Sequence, residues 1–451
     1  MADTSFTAPP PPSPEGLPAV KPPSAKFIAQ LFGVPLLIVG GLVVLFFGIP
    51  WLFSSLFGVN VGWLGGNRMT PEQYLASLDK ANPDVRWRAA SDLAQVLLRD
   101  DQLASDPKFA LDLTDRLQQT LKANEAGEKA LAEKVRKLGP NPSEGERKAV
   151  EAERRSLEAG RNYVVFLCSS LGNFSVPAGL VPLRDLAEKE TGAEPKLLAV
   201  RRWRVVFALA NLGQNLKRFD RLPEERRQEV LDELRTEAAG KGDRAVAAKA
   251  ALAVLEGRQS GKPTTQGVAS ALVKCADEGK EPFLREMAAF AMNFWDGDAA
   301  ENARMEEALV RLTYDQGGGD DLLTPLYEEE DQPTRPVTSA PGLRVRYNAT
   351  VALARRGSDK VRLSLLKEML DEQKQLESHR IRRKDGSETP DPATACETVK
   401  NALQAVVELH RKRPNLDLSG LSESVEKLAH SDNREVQHRA KEAQSALEAK
   451  E

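Results

Sequence analysis

Cysteine and histidine are both scarce in this 451-residue sequence, with three and four copies. So few cysteines, none in CxxC spacing, exclude a disulfide scaffold and give no sign of a cysteine metal site. The histidines all fall in the last quarter of the chain and form no HExxH motif. We therefore predict no catalytic residue, no metal site and no cofactor site. The residues concerned are Cys168, Cys275, Cys396, His379, His410, His430 and His438.

Aromatic residues make up only 6% of the chain, and neither sign of charge dominates. Lysine and arginine total 63 against 66 acidic residues, which gives a net charge of −3. A chain with this balance is an unlikely nucleic-acid binder, since such domains are strongly basic. Two short basic clusters, His379–Lys384 and His410–Pro414, are interpreted as solvated surface, with phosphate or anionic lipid contact as the alternative.

The first 26 residues contain eight of the 28 prolines, four of them in the run Pro9–Pro12. Such a segment has little apolar surface to bury and few backbone donors. We interpret residues 1–26 as a disordered, proline-rich tail.

An uncharged stretch extends from Phe27 to Asn67. A bilayer core about 30 Å thick needs about 20 helical residues, so the stretch is long enough to cross once. The tail before it is long, its apolar run exceeds the usual core of a signal peptide, and no clean cleavage site follows. We therefore predict an uncleaved transmembrane anchor over residues 27–60, preferred to a signal peptide or a buried soluble helix.

The basic residues that flank this stretch indicate its orientation. Lys21 and Lys26 precede it, whereas Arg68 alone follows it closely. By the positive-inside rule, we expect the N-terminus in the cytoplasm and the body of the protein on the opposite side of the membrane.

A motif recurs along the rest of the chain. VRWRAASDLAQVL at Val85–Leu97 matches RRWRVVFALANLG at Arg201–Gly213 and RVRYNATVALARRG at Arg344–Gly357. When all copies are aligned on their arginine, three consecutive intervals are close to 41 residues. The aligned positions are Arg86, Arg161, Arg202, Arg244, Arg285 and Arg346, with weaker copies at Cys396 and Gln437.

The longer intervals contain segments that break the period, near residues 122–160, 315–341 and 377–392. Each repeat reads as two amphipathic helices separated by Gly, Pro, Asn or Asp. No run alternates with the period of a strand beside a hairpin turn, so the sequence predicts an all-α chain. We expect about eight helix pairs over residues 70–450, with these three segments as insertions.

The motif resembles that of HEAT repeats, in the variant also found in phycobilin-lyase-like proteins. Asn82-Pro83-Asp84-Val85-Arg86 followed by Ala89, Ala90 and Leu93 carries the resemblance best. The resemblance implies a right-handed α-solenoid of stacked helix pairs that binds other proteins. It also implies that acidic and arginine side chains bridge neighbouring repeats, here Asp84, Arg86, Asp243, Arg244, Arg285 and Arg346.

We therefore expect a membrane-anchored scaffold or adaptor that binds a protein partner on one face of the solenoid and the lipid bilayer through its anchor. One alternative is an enzyme or cofactor-handling protein, as the lyase-like resemblance would allow. The other is a self-associating structural protein of the cell envelope. The acidic segment after Gly317 and the tryptophans Trp87, Trp203 and Trp295 are interpreted as loop surface and packing residues.

Overall fold

The computed structural model describes residues 69–80, 82–138, 142–188, 195–278, 282–317, 334–338, 340, 342–383 and 385–448. The predicted tail and the predicted anchor at 27–60 lie outside these ranges, as does most of the acidic segment after Gly317. Within the described ranges, no helix combines the length and the apolar character needed to cross a bilayer.

The described part of the chain folds into eighteen helices and three short strands. The prediction of a helical chain is therefore confirmed. The helices are α1 (Pro71–Leu78), α2 (Pro83–Leu97), α3 (Asp101–Ala104), α4 (Pro107–Lys137), α5 (Glu144–Gly172), α6 (Leu180–Glu188), α7 (Pro195–Asp220), α8 (Glu224–Ala238), α9 (Asp243–Gln259), α10 (Val268–Glu278), α11 (Pro282–Met292), α12 (Ala299–Leu312), α13 (Leu343–Arg356), α14 (Leu363–Met369), α15 (Glu372–Ser378), α16 (Pro392–Lys412), α17 (Ser419–Leu428) and α18 (Arg434–Glu448).

Local sequence fixes where several of these helices begin. Ser143 caps α5 and Asp298 caps α12, each in a reciprocal capping box with the glutamate three residues later. Asp106 and Asp391 cap α4 and α16, and a proline occupies the first turn of both helices. These side chains accept bonds from backbone N–H groups that the helix itself leaves unpaired.

Seven of the described helices stack side by side as a row: α2, α5, α7, α11, α13, α16 and α18. We call them the row helices. A second set, including α1, α4, α6, α10, α12 and α17, packs against them, so that each pair shares its apolar core with the next. The buried residues form one continuous cluster from Tyr74 to Ala443. This arrangement is what stacked helix pairs require, because one pair alone cannot bury its apolar face.

The repeat alignment is wrong at Arg244. The helix that contains it, α9, forms a hairpin with α8 that packs on α4 and α6, while α7 packs directly against α11. Small buried residues of α9, including Ala247, Ala248 and Ala251, produce the motif-like spacing but serve this close hairpin packing. The two intervals that meet at Arg244 therefore do not correspond to successive positions in the row, whereas the interval from Arg161 on α5 to Arg202 on α7 does.

Arg244 holds this hairpin in place. Its guanidinium binds Asp112 at 2.6 Å and Asp115 at 3.1 Å on α4, and Glu237 of α8 at 2.7 Å. Hydrogen bonding to Glu237, followed by the two aspartates, raises the pKa of Arg244, and the same contact lowers the pKa of Glu237. Asp243 next to it accepts a bond from Lys122 at 2.9 Å.

Three other motif arginines also contact neighbouring pairs. Arg86 lies over the ring of Tyr163 on α5, with 5.2 Å between its guanidinium carbon and the ring centre. Arg285 of α11 binds the Asp315 carboxylate at 2.6 Å, and Arg346 of α13 donates to the Asp315 backbone carbonyl at 2.7 Å. Asp315 lies outside the motif, whereas Tyr163 belongs to the copy aligned on Arg161. The Asp84 side chain is not among those described.

The first insertion is helical over most of its described residues. Residues 122–137 belong to α4 and residues 144–160 to α5, and between these two helices Lys134 pairs with Glu153 at 2.5 Å and Arg161 pairs with Glu128 at 2.9 Å. Half-buried positions recur among exposed ones along this part of both helices, where the two helices pack on each other.

Strands were not expected, yet three are present: β1 (Thr334–Thr338), β2 (His379–Arg383) and β3 (Glu388–Pro390). They form one antiparallel sheet in the order β1-β2-β3. Each strand has five residues or fewer, which is too short for a periodic signal. Gly386, at φ +81°, makes the turn of the β2–β3 hairpin, and Pro336 is tolerated because β1 is an edge strand.

Five consecutive pairs of neighbouring row helices, from α2–α5 to α13–α16, are each joined by a hydrogen bond of the same kind. In each bond, a side chain of the later helix, or of the residues just after it, donates to a backbone carbonyl of the earlier helix or of its C-terminal cap. We call these bonds the carbonyl ties. They are Asn173 to Ala94 (2.9 Å), Asn215 to Gly172 (3.0 Å), Trp295 to Leu209 (2.9 Å), Arg356 to Met292 (3.0 Å) and Arg413 to Gly357 (2.7 Å). Most of these carbonyls lie in the last helical turn or the C-terminal cap, where the helix provides no donor.

Close approach between row helices accompanies the ties. A Cβ on Gly172 would lie 2.7 Å from the carbonyl oxygen of Ala208, and one on Gly213 would lie 2.8 Å from the indole nitrogen of Trp295. Glycine at these two positions therefore lets α7 approach α5 on one side and the end of α11 on the other.

We expect Arg356→Met to destabilise the protein by about 3 kcal/mol, since charged donors contribute the stronger hydrogen bonds. Arg356 also donates to the Trp295 carbonyl at 2.9 Å and to Asn302, and its side chain is largely buried. Urea unfolding of the variant measures the loss. The exposed Arg411→Met on α16 is the matched control and should change stability by less than about 0.5 kcal/mol. Equal effects of the two substitutions would contradict the role of the ties.

Candidate functional site

Aromatic side chains from α7 and α11 pair across the two row helices. The rings of Trp203 and Phe283 meet edge to face at 4.8 Å, and those of Phe207 and Phe290 stack at 6.3 Å. We call these four residues the aromatic patch. Phe207 keeps 39% of its surface exposed, although a phenylalanine of a soluble helix is normally buried. The patch thus presents apolar surface to the outside of the row.

A cavity of about 250 Å³ lies next to the patch, among α7, α11, α13 and α16. Phe207 and Phe290 belong to both the patch and the cavity wall. Met369 of α14 and His379 at the start of β2 close one side. We call this space the row cavity; most of the surface exposed in it is apolar, although most of its lining residues carry polar groups. Its polar and charged lining residues are Glu286, Asn293, Arg344, Tyr347, Asn348, Arg355, His379, Thr394, Glu397, Thr398 and Asn401.

Glu286 is the most buried carboxylate of this cavity, with 5% of its surface exposed. Arg344 of the next row helix binds it at 2.8 Å. Burial raises the pKa of Glu286, and the charge and hydrogen bond of Arg344 oppose that rise. The pair joins α11 to α13 across the cavity wall, and removing either partner would leave the other charge buried and unpaired.

Tyr347 anchors a second polar group in the wall. Its hydroxyl donates to Glu368 at 2.8 Å and lies 3.3 Å from the Gln375 amide nitrogen, which also donates to the Glu368 backbone carbonyl at 2.8 Å. Burial is the main cause that raises the pKa of Tyr347. The network ties α13 to α14 and α15 and keeps the phenol protonated and rigid.

His379 is 3% exposed and lies edge to face against Tyr347, with 6.5 Å between ring centres. Its Nε2 is 3.2 Å from the hydroxyl of Thr398 on α16. Burial, with a smaller contribution from the nearby Arg344 charge, lowers the pKa of His379 to about 4. The imidazole is therefore neutral at physiological pH.

Two polar atoms of the cavity residues are buried without a hydrogen-bond partner among the described residues: the Asn293 amide oxygen and the Arg355 Nε. Another nitrogen of Arg355 donates to Gln404 at 3.1 Å, and Gln404 in turn donates to Glu408 at 2.9 Å. Burial lowers the pKa of Arg355, with Glu408 opposing. A buried donor and a buried acceptor left unpaired are costly, and both atoms are closed off from solvent.

The residues singled out from the sequence fall in different places. Trp295 is fully buried, Trp203 belongs to the aromatic patch, and Trp87 is 38% exposed and stacked on Phe166 at 5.6 Å. Cys168 and Cys275 are buried, and neither belongs to a disulfide among the described residues. Only His379 of the four histidines lines the cavity.

The two basic clusters have structural roles. The first forms β2, where Arg380 and Arg382 both pair with Glu388 of β3. The second ends α16, and its Arg413 makes one of the carbonyl ties. Most of the basic side chains in the two clusters are exposed, as expected for solvated surface, whereas His379 is buried.

Sequence reasoning missed the cavity residues Glu286, Arg344 and Arg355. One signal was available, because Glu286 and Arg285 are the only charged residues in the apolar helix PFLREMAAFAM. Arg344 and Arg355 lie in charged surroundings, where nothing in the sequence sets them apart.

The arrangement is better suited to binding than to proton transfer. Of the two carboxylates that line the cavity, Glu286 is paired with Arg344, and Glu397 is paired with Lys400 at 2.5 Å. Across the described ranges, no group of three or more His, Cys, Asp or Glu side chains is placed to hold a metal ion.

The burial of neutral His379 predicts an acid-sensitive fold. The pKa of His379 is lower in the folded chain than in the unfolded chain. Its contribution to the free energy of unfolding is therefore fully present above pH 6.5 and is lost as the pH falls towards 4, by about 3 kcal/mol in total. The raised pKa of Glu286 stabilises the fold at low pH and so has the opposite effect. The test therefore compares variants at His379 with the native chain. Urea unfolding at pH 7 and 4.5 should show a smaller loss for His379→Gln than for the native chain. His438→Gln, at an exposed histidine, is the control; identical losses for all three proteins would refute the assignment.

No protein-family model matches this chain. No curated protein matches it in sequence. Among solved structures, an engineered protein is 12% identical over 85% of this chain and 100% of that one, with a TM-score of 0.29. A chain from a study of the interaction between cadherin and beta-catenin is 15% identical over 84% of this chain and 75% of that one, with a TM-score of 0.24. Both scores are too low to support any argument about this protein.

Proposed function

We propose that the protein is a membrane-anchored scaffold or adaptor that binds a protein partner on its row helices and has no catalytic role. The observation that carries the proposal is the aromatic patch beside the row cavity. Exposed aromatic rings that are held rigidly by their neighbours are typical of the energetic centre of protein interfaces.

The organisation of the helices supports an extended binding surface. Each row helix extends the exposed surface of the helix before it, and the carbonyl ties fix the positions of neighbouring row helices relative to each other. Folds built in this way bind through area and a few anchors rather than through one catalytic group. We also propose that the pairs are HEAT-like and that the stack turns in the right-handed sense, on the strength of the sequence copies.

The membrane part of the proposal rests on the 41 uncharged residues from Phe27 to Asn67. One span of this length would confine the partner to the membrane surface. We propose that the helical body lies outside the cytoplasm, because Lys21 and Lys26 precede the span and only Arg68 follows it closely.

The partner can be tested by a photo-crosslinking amino acid placed at Phe207 of the full chain in native membranes. We expect the same protein to be captured at Phe207 and at Phe290, and not at Val246, an equally apolar and 52% exposed position on α9. Phe207→Asp should weaken binding of the captured partner by roughly tenfold or more, whereas Val246→Asp should not.

Other results of the crosslinking would change the proposal. Capture of a second copy of this chain would favour the self-associating envelope protein. If no protein is captured and a small molecule copurifies in stoichiometric amount, the enzyme or cofactor-handling alternative would replace the scaffold.

Orientation can be tested with a single cysteine at Ser260, an exposed residue directly after α9. The native cysteines are first replaced by alanine, and the cysteine-free chain is the control. We expect a membrane-impermeant maleimide to label the protein while the cytoplasmic membrane is intact. Labelling only after that membrane is lysed would place the helical body in the cytoplasm.

A further inference from the structure

The aromatic patch carries a positive charge that no carboxylate of the described residues neutralises. Arg204 of α7 lies over the ring of Trp203, with 5.5 Å between its guanidinium carbon and the ring centre. It forms no ion pair among the described residues, and α7 has no acidic residue before Asp220. Glu286 on the neighbouring helix α11 binds Arg344 instead. Because Arg204 is only half-buried, its charge remains accessible at the surface.

The same arrangement occurs two helices earlier in the row. On α2, Arg88 lies over the ring of Trp87 at 5.7 Å, and both side chains are exposed. Arg88 and Arg204 occupy the same position of the repeated motif, in the sequences VRWR and RRWR. Asp92, one turn further along α2, forms no ion pair with Arg88. The two Trp–Arg sites are Trp87 with Arg88 and Trp203 with Arg204.

Aromatic surface lies between and beside the two Trp–Arg sites. Trp87 stacks on Phe166 of α5, and α5 packs against both α2 and α7. Phe207 lies three residues after Arg204 on α7 and is 39% exposed. Packed helices are about 8–10 Å apart, so the two sites are separated by roughly 16–20 Å. An extended chain covers that distance with about six residues.

The stacking in each Trp–Arg site prepares the guanidinium to bind a carboxylate. The ring covers one face of the group, whereas the N–H donors lie in the guanidinium plane and point past the ring. A side chain that is already held in place loses less conformational entropy when the new bond forms. Carboxylates bind such a planar group through two parallel hydrogen bonds. The sites therefore favour a partner that carries acidic side chains.

The small number of available cations favours a peptide over a polyanion. Anionic membranes attract clusters of about four to eight Lys or Arg residues, and nucleic acids also require many phosphate contacts. The two Trp–Arg sites supply two guanidinium groups, set among aromatic rings. An acidic segment that also has apolar side chains matches both the charges and the rings, because its apolar groups cover Phe166 and Phe207.

We propose that α2, α5 and α7 bind an acidic segment of a protein partner, whose carboxylates pair with Arg88 and Arg204 and whose apolar side chains pack on Phe166 and Phe207. This inference rests on the proposed interaction function and names the chemistry of its partner. The charge of the site, rather than its aromatic surface alone, selects the segment.

The test uses the full chain in detergent and two fluorescent pools of octapeptides with blocked ends. The acidic pool alternates Asp or Glu with Leu or Phe, and the neutral pool has Asn or Gln in place of the acids. Fluorescence polarisation should show that the acidic pool binds roughly fivefold or more tightly, as two exposed ion pairs allow. Raising NaCl from about 0.05 M to about 0.5 M should remove most of this preference, because salt screens exposed charges. Equal binding of the pools, or no binding of either, would overturn the inference on the native chain alone.

Variants assign the preference to the Trp–Arg sites. The double variant Arg88→Gln, Arg204→Gln should bind both pools about equally, because it removes both charges and leaves the rings in place. The double variant with Lys at the same positions should keep part of the preference. Arg304→Gln is the matched control, at an exposed arginine of α12, which is not a row helix. A full preference in the Gln double variant would place the carboxylates elsewhere and contradict the assignment.

Further probes separate the peptide from other occupants. A fluorescent single-stranded DNA that binds as tightly as the acidic pool would show a general polyanion surface and overturn the proposed partner class. The acidic pool should also bind the chain in nanodiscs of phosphatidylcholine, with or without phosphatidylserine. Binding that disappears only with phosphatidylserine would show that anionic lipid occupies the sites. If neither pool is preferred while crosslinking at Phe207 still captures a partner, this inference fails and the scaffold proposal stands.

Discussion

The carbonyl ties are the interaction on which the rest of the described structure depends. The last carbonyls of an α-helix have no donor within the helix, and the helix dipole makes that end attractive to positive charge. Here the donors come from the next row helix or the residues that follow it, and two of them are the guanidinium groups of Arg356 and Arg413. The ends of α2, α5, α11 and α13 are thereby satisfied by a neighbour, which couples the capping of one helix to the placement of the next.

The departure of the α8–α9 hairpin from the row has a direct consequence for the surface. Because Arg244 holds that hairpin on α4, α7 is free to pack against α11. Only this contact brings Phe207 next to Phe290 and Trp203 next to Phe283. The aromatic patch therefore exists because one helix pair leaves the stack.

Most of the polar groups in the wall of the row cavity are paired. Glu286 binds Arg344, and the Tyr347 hydroxyl bonds Glu368 and Gln375, whereas the Asn293 amide oxygen and the Arg355 Nε are buried without a partner among the described residues. The paired groups make the wall rigid, and the unpaired atoms cost stability.

The sequence by itself determined the helical character of the chain, because apolar spacing and caps such as Ser143 and Asp298 act within a few residues. It could not distinguish α9 from a row helix, since Ala247 and Ala251 pack equally well against a hairpin partner or a repeat neighbour. It also missed the strands, which are stabilised by pairing between β1 and a hairpin more than forty residues away. The cavity was decided by tertiary structure alone, because Glu286, Arg344, Arg355 and His379 come from elements that are distant in sequence. Their pairing, burial and pKa values depend on the separation of α11, α13 and α16, which no local pattern encodes.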